Sequence, residues 1–80
     1  MTEPHPNVWF PYAQMGQLQN VPKAIKTQGS KIYLENNKIL IDGISSWWTS
    51  CHGYNNPKIE ESIVKQIKKM PHIMFGGFSH

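Results

Sequence analysis

The sequence predicts an α+β fragment made of an irregular aromatic arm, a three-stranded antiparallel meander, a loop and one helix. Three observations carry that expectation. Apolar residues recur with period two between Pro22 and Ile44, and residues suited to chain reversal interrupt them at Gly29 and at Asn36-Asn37. Asn56-Pro57 then opens a stretch in which Ile59, Ile63, Ile67 and Met70 repeat at helical spacing. Upstream, Pro4, Pro6 and Pro11 forbid a continuous helix.

The arm covers residues 1–20, and the meander, loop, helix and tail form an incomplete small-domain segment over residues 21–80. Trp9, Phe10 and Tyr12 make the arm too apolar for a free tail, so it is expected to dock. In the meander, Ala24 opens the first strand, Ile32 and Leu34 share one face of the second, and Ile39 and Ile41 share a face of the third. Gln28-Gly29-Ser30 supplies the first reversal. Asn36-Asn37 is expected to form a two-residue hairpin turn, because asparagine tolerates positive φ. Asp42-Gly43 ends the third strand, and the Asp42 side chain is expected to bond nearby backbone N–H groups rather than to catalyse.

The helix is expected from Pro57 to about Met70, with Asn56 as its N-cap. Glu60 and Glu61 near its start and Lys68 and Lys69 near its end complement the macrodipole, and Glu61 with Lys65 forms an i,i+4 pair. Pro71 stops it. The tail His72–His80 is apolar and turns at Gly76-Gly77.

The stretch Ser45-Ser46-Trp47-Trp48-Thr49-Ser50-Cys51-His52-Gly53-Tyr54 fits neither a helix nor a strand. Neighbouring indoles share no face of either element. One of Trp47 and Trp48 is therefore expected in the core and the other on a cavity, where an indole suits a planar or cationic ligand. The competing reading puts both in a core or interface.

Composition narrows the function. Eighty residues bury only roughly 60–65% of the surface exposed by the unfolded chain, too little for a large cofactor enzyme in one piece. The net charge is +3, but all eight basic residues are scattered lysines, and without arginine the bidentate clamp for phosphate or carboxylate is missing. Nucleic acid is thus a weak expectation. One cysteine and no signal sequence point to a reducing, cytoplasmic setting, and no apolar run is long enough to span a bilayer. Cys51 and His52 are adjacent and lack metal-ligand spacing, so a metal site or a Cys–His nucleophile is not expected; His52 is read as bonding backbone in its loop. Gly76-Gly77 lacks the strand, helix and lysine of a phosphate loop.

Ile44–Pro57 and His72–His80, taken with the Trp9-Phe10-Pro11-Tyr12 motif, closely resemble the amino-terminal segment of the class III, pyridoxal-phosphate-dependent aminotransferases. A histidine is more usual in that family where Phe10 stands. The Ser-Ser-Trp-Trp and Met-Phe-Gly-Gly runs resemble the members that act in biotin synthesis. The resemblance implies the amino-terminal part of a fold type I transferase, cytoplasmic and homodimeric. Its reaction would move an amino group from S-adenosylmethionine to 8-amino-7-oxononanoate on pyridoxal 5'-phosphate. By the same resemblance, Tyr12 and Trp47 line the substrate pocket and Trp48 is a second wall, while Pro11, Met74 and Gly76 approach the active site across the dimer interface. The family's Schiff-base lysine matches no position in this sequence. The resemblance thus leaves no catalytic or cofactor-binding residue here, and the isolated chain is expected to be inactive. Two other readings are a small non-catalytic module, basic and aromatic, for nucleic acid or another anion, and a self-associating remnant.

Overall fold

The computed structural model describes residues 3–18 and 20–80. After a single 3-10 turn at Met15–Gln17, strands β1 (Ala24–Gln28), β2 (Lys31–Leu34) and β3 (Ile39–Ile41) form an antiparallel sheet in sequential order, and the helix α1 (Pro57–Lys69) follows. The expected meander and helix are both present. Gly29, at φ +60°, makes the β1–β2 reversal, and Gln28 faces Lys31 across it.

The second reversal differs from the expected two-residue turn. The Asn37 N–H donates to the Leu34 carbonyl and the Leu34 N–H to the Lys38 carbonyl, so three residues, Glu35-Asn36-Asn37, form the loop. Only Asn37 has positive φ, while the Asn36 side chain accepts from the Lys38 N–H at 3.2 Å. This is a three-residue hairpin loop closed by a left-handed residue. Asn36 contributes its side-chain acceptor there rather than a left-handed backbone.

Register explains the sheet's surfaces. Ile32 pairs with Leu40, and Tyr33 pairs with Ile39 and with Lys26, whose ammonium lies 5.3 Å from the Tyr33 ring centroid. The register slips by one residue between Ala24 and Lys26, a bulge at Ile25 near the sheet edge. Because side chains alternate, Ile32 and Leu34 fall on one face and Ile39 and Ile41 on the other, so both faces are apolar.

Little covers them. Leu34, at 8% exposure, is the one buried hydrophobic residue among those described. Helix α1 has the expected cap: the Asn56 Oδ1 accepts from the Lys58 N–H at 3.0 Å, Pro57 stands at its first position and Glu61 pairs with Lys65 at 3.0 Å. Its stripe of Ile59, Ile63, Val64 and Ile67 nevertheless stays about half exposed, and among the described residues α1 packs on no strand. The radius of gyration is 17.1 Å, against about 12 Å for a compact chain of this length. The arm docks less than expected: of its three aromatics, Trp9 and Tyr12 are exposed and Phe10 is partly covered.

What ties the loop to the sheet is a small polar framework. Gly29 and Tyr54 exchange both backbone hydrogen bonds, at 3.0 and 2.7 Å. The Thr27 hydroxyl donates to the Asn55 Oδ1 at 2.7 Å, and the Asn55 amide donates to Glu60 at 2.8 Å, linking β1 to the first turn of α1. At Gly53 the chain passes so close that an added Cβ would lie 3.3 Å from the Gly29 oxygen, at φ +79°. Gly53→Ala is therefore expected to cost about 1–2 kcal/mol through backbone strain. A urea midpoint equal to that of the unaltered protein would contradict the constraint.

Candidate functional site

The loop after β3 contains a run that L-residues rarely adopt. Ser45, Ser46, Trp47 and Trp48 have φ of 50°, 47°, 55° and 69°, one left-handed turn closed by the Trp48 N–H donating to the Ile44 carbonyl at 3.0 Å. Each such residue costs about 1–2 kcal/mol relative to the right-handed form. A compensating interaction is required, and Asp42 supplies it.

One Asp42 carboxylate oxygen accepts from the Ile44 N–H at 3.0 Å and the other from the Ser46 N–H at 2.8 Å. The second oxygen also accepts from the Tyr54 hydroxyl at 2.5 Å, and that hydroxyl is hydrogen-bonded to the Ser46 hydroxyl. Asp42 itself is fixed to the hairpin by its N–H, which donates to the Ser30 carbonyl at 2.8 Å. The expectation that Asp42 bonds local backbone holds. His52, read as another backbone anchor, is exposed and has no hydrogen-bond partner among the described residues; Tyr54 takes that part.

The turn brings both indoles to one opening. A cleft of about 610 Å³ is lined by Tyr12, Ile44, Trp47 and Trp48. Tyr12, itself at φ +52°, meets Trp47 edge to face, with centroids 5.7 Å apart and planes at 85°. The division of the indoles into one core and one cavity residue is corrected: Trp47 is 59% and Trp48 86% exposed, and Tyr12 is 98% exposed. The sheet offers no interior into which either indole could be buried. Successive residues of a helical turn point about 100° apart, so neighbours can border the same opening. Trp47 and Ile44 also line a second hollow, together with Ile32 of the sheet, Asp42 and Ser46.

Of the residues singled out from the sequence, Tyr12, Trp47 and Trp48 come together. Pro11 precedes Tyr12 without lining the cleft, and Met74 and Gly76 lie in the exposed tail, where Phe75 stacks on His80 at 5.5 Å. Ile44 as the apolar floor and Tyr54 as an anchor were missed; an aliphatic residue just before a polar loop carries no distinguishing signal. The cleft can hold a planar, apolar or cationic group between aromatic walls. No lysine lines it, which disfavours an anion site.

Among the described residues, no helix is long and apolar enough to cross a membrane. Comparison with known proteins matches residues 12–80 to the family described as Aminotransferase class-III. The chain is 45% identical over 76 residues to the adenosylmethionine-8-amino-7-oxononanoate aminotransferase of Buchnera aphidicola subsp. Schizaphis graminum, covering 95% of this chain and 18% of that protein. It is 41% identical over 76 residues to the enzyme of the same name from Corynebacterium glutamicum, again 95% of this chain and 18% of the relative. The enzyme of that name from Saccharomyces cerevisiae is 37% identical over 78 residues, covering 92% of this chain and 16% of the relative. The chain thus spans less than a fifth of the length of these relatives.

The Tyr54 hydroxyl foremost, and then the Ile44 N–H, hold the Asp42 carboxyl below its ordinary value of 3.8. A lowered folded-state value means that the carboxylate's contribution is complete above 3.8 and is lost as pH falls through the lowered value. Fluorescence of the loop indoles is expected to hold steady from neutrality to about pH 3.8 and to change below it, and Asp42→Asn is expected to abolish that step. An acid step of the same size in the variant would place its origin elsewhere.

Proposed function

The chain belongs to the class III aminotransferases, and we propose that it forms the amino-terminal part of one that moves an amino group from S-adenosylmethionine to 8-amino-7-oxononanoate, giving 7,8-diaminononanoate. In this reading the enzyme is a cytoplasmic, fold type I homodimer, and this segment builds walls of its substrate pocket. The observation that carries the reading is Tyr12 packed edge to face on Trp47 in a cleft that Trp48 also lines.

Substrate chemistry suits those walls. Stacking of an adenine on an aromatic ring contributes about 1–3 kcal/mol in other settings, and a cationic sulfonium beside an indole face adds about 0.5–1 kcal/mol when exposed. The methylene chain of a nonanoate gains about 0.8 kcal/mol for each CH₂ removed from water, and Ile44 offers an apolar floor for it. The edge-to-face contact leaves the outer ring faces open to a ligand.

Pyridoxal 5'-phosphate would supply the electron sink for the amino transfer. The cleft by itself does not fit that group, because its four lining residues include no lysine to bond the aldehyde and no cradle of phosphate donors. Asp42, the neighbouring carboxylate, already has its oxygens engaged by Ile44, Ser46 and Tyr54. Cofactor binding and the proton transfers are therefore assigned to the rest of the enzyme. The residues of this chain bind the substrates, orient them and exclude water from one side. Met74, Gly76 and Pro11 are assigned to the subunit interface, which would account for their absence from the lining of the cleft.

In the complete enzyme, Trp47→Ala and Tyr12→Ala are each expected to raise KM by a stacking-sized amount of about 1 kcal/mol or more, roughly fivefold. Trp47→Phe should recover part of the loss. Steady-state kinetics unchanged for both substrates in both alanine variants would sink the reading.

A further inference from the structure

Backbone outliers are distributed unevenly along the chain. Seven described non-glycine residues have positive φ, and five of them, Tyr12, Ser45, Ser46, Trp47 and Trp48, line or build the aromatic cleft. The other two, Asn37 and Asn55, are asparagines in turns, where left-handed backbone costs little. Strain gathered in this way persists only where surrounding contacts over-determine it. For the four consecutive residues Ser45 to Trp48, those contacts come from two side chains that lie outside the cleft.

We infer that Tyr54 and Asp42 are positioning residues for the substrate walls: together they clamp the left-handed turn that sets Trp47 against Tyr12 and Trp48 beside the same cleft. Tyr54 is held at both ends. Its backbone is bridged to Gly29 at the hairpin tip, and its hydroxyl donates to Asp42 while bonded to the Ser46 hydroxyl. Asp42 in turn takes the N–H groups of Ile44 and Ser46, the two ends of the turn's first half. The sheet thereby fixes the indoles through a carboxylate and a phenol, neither of which borders the cleft. The role assigned to the clamp rests on the proposed reading of the cleft as a substrate pocket; the clamp itself does not.

Tyr54→Phe tests it, since this change removes one hydroxyl and keeps the ring and the backbone bridge. Asp42→Ala would remove all the carboxylate's bonds to the turn and to Tyr54 and could unfold the loop, so it serves only as the extreme case. In the complete enzyme labelled with fluorotryptophan, the fluorine resonances of Trp47 and Trp48, assigned from single Phe substitutions, are expected to shift from their positions in the unaltered enzyme in Tyr54→Phe without substrate present. KM for the amino acceptor is expected to rise about threefold to tenfold, the range for loss of one hydrogen bond, with kcat little changed. Resonances that stay in place in Tyr54→Phe overturn the clamp, even when Trp47→Ala raises KM. Resonances that move while Trp47→Ala leaves KM unaltered uphold the clamp and overturn the substrate reading instead.

Discussion

A single carboxylate sets the shape of the aromatic loop. Asp42 stands one residue past β3, where the sheet has already fixed the direction of the chain, and its two oxygens accept from Ile44, Ser46 and Tyr54. Four consecutive left-handed residues would not persist on intrinsic preference. Charge-assisted hydrogen bonds are among the stronger polar contacts available, and here they fall on the donors that such a turn presents on its inner side. The placing of both indoles at one cleft follows once that turn is held, and Trp47 then meets Tyr12 of the arm.

Packing contributes much less. The sheet is apolar on both faces, α1 carries an unpartnered stripe, and Leu34 is the one buried hydrophobic residue described. In place of a core there are short polar links: Gly29 with Tyr54, Thr27 with Asn55, and Asn55 with Glu60. Each contributes only about 0.5–1.5 kcal/mol net, enough to orient segments but not to replace apolar burial. This balance agrees with the proposed place of the chain within a larger enzyme, in which its apolar faces would meet further surface.

Local rules made the elements legible in the sequence. Period two gave the three strands, Asn56-Pro57 and the isoleucine spacing gave α1, and Gly29 gave the first reversal, all within the reach of neighbouring residues. The second reversal was misread because Asn36-Asn37 satisfies two chemistries, and only the Leu34–Lys38 pairing shows which one operates. Tyr12, Trp47 and Trp48 were singled out as pocket residues, and they do meet in one cleft. Their arrangement was not legible. The expectation that adjacent indoles must part assumed regular backbone, whereas a left-handed turn obeys neither the strand nor the packed-helix pattern. Tyr54 was missed for a related reason, since its partners Gly29 and Asp42 are distant in sequence and join it only when the hairpin tip folds back.

The same geometry explains how two large aromatics can be adjacent in sequence and border one cleft. On a strand their side chains would point to opposite faces, and one indole would be lost to the other side of the sheet. In a single helical turn they diverge by about 100°, so both border one opening while the chain reverses beneath them. The turn is too short to stabilise itself, because one helical turn fixes several dihedrals for very few hydrogen bonds. Its order must come from outside, and the sheet supplies it through Asp42 and Tyr54. Rigid walls then need no ordering when a ligand arrives, so less of the stacking energy is offset by lost freedom. Strain in the loop and the affinity proposed for the cleft are thus tied to one arrangement.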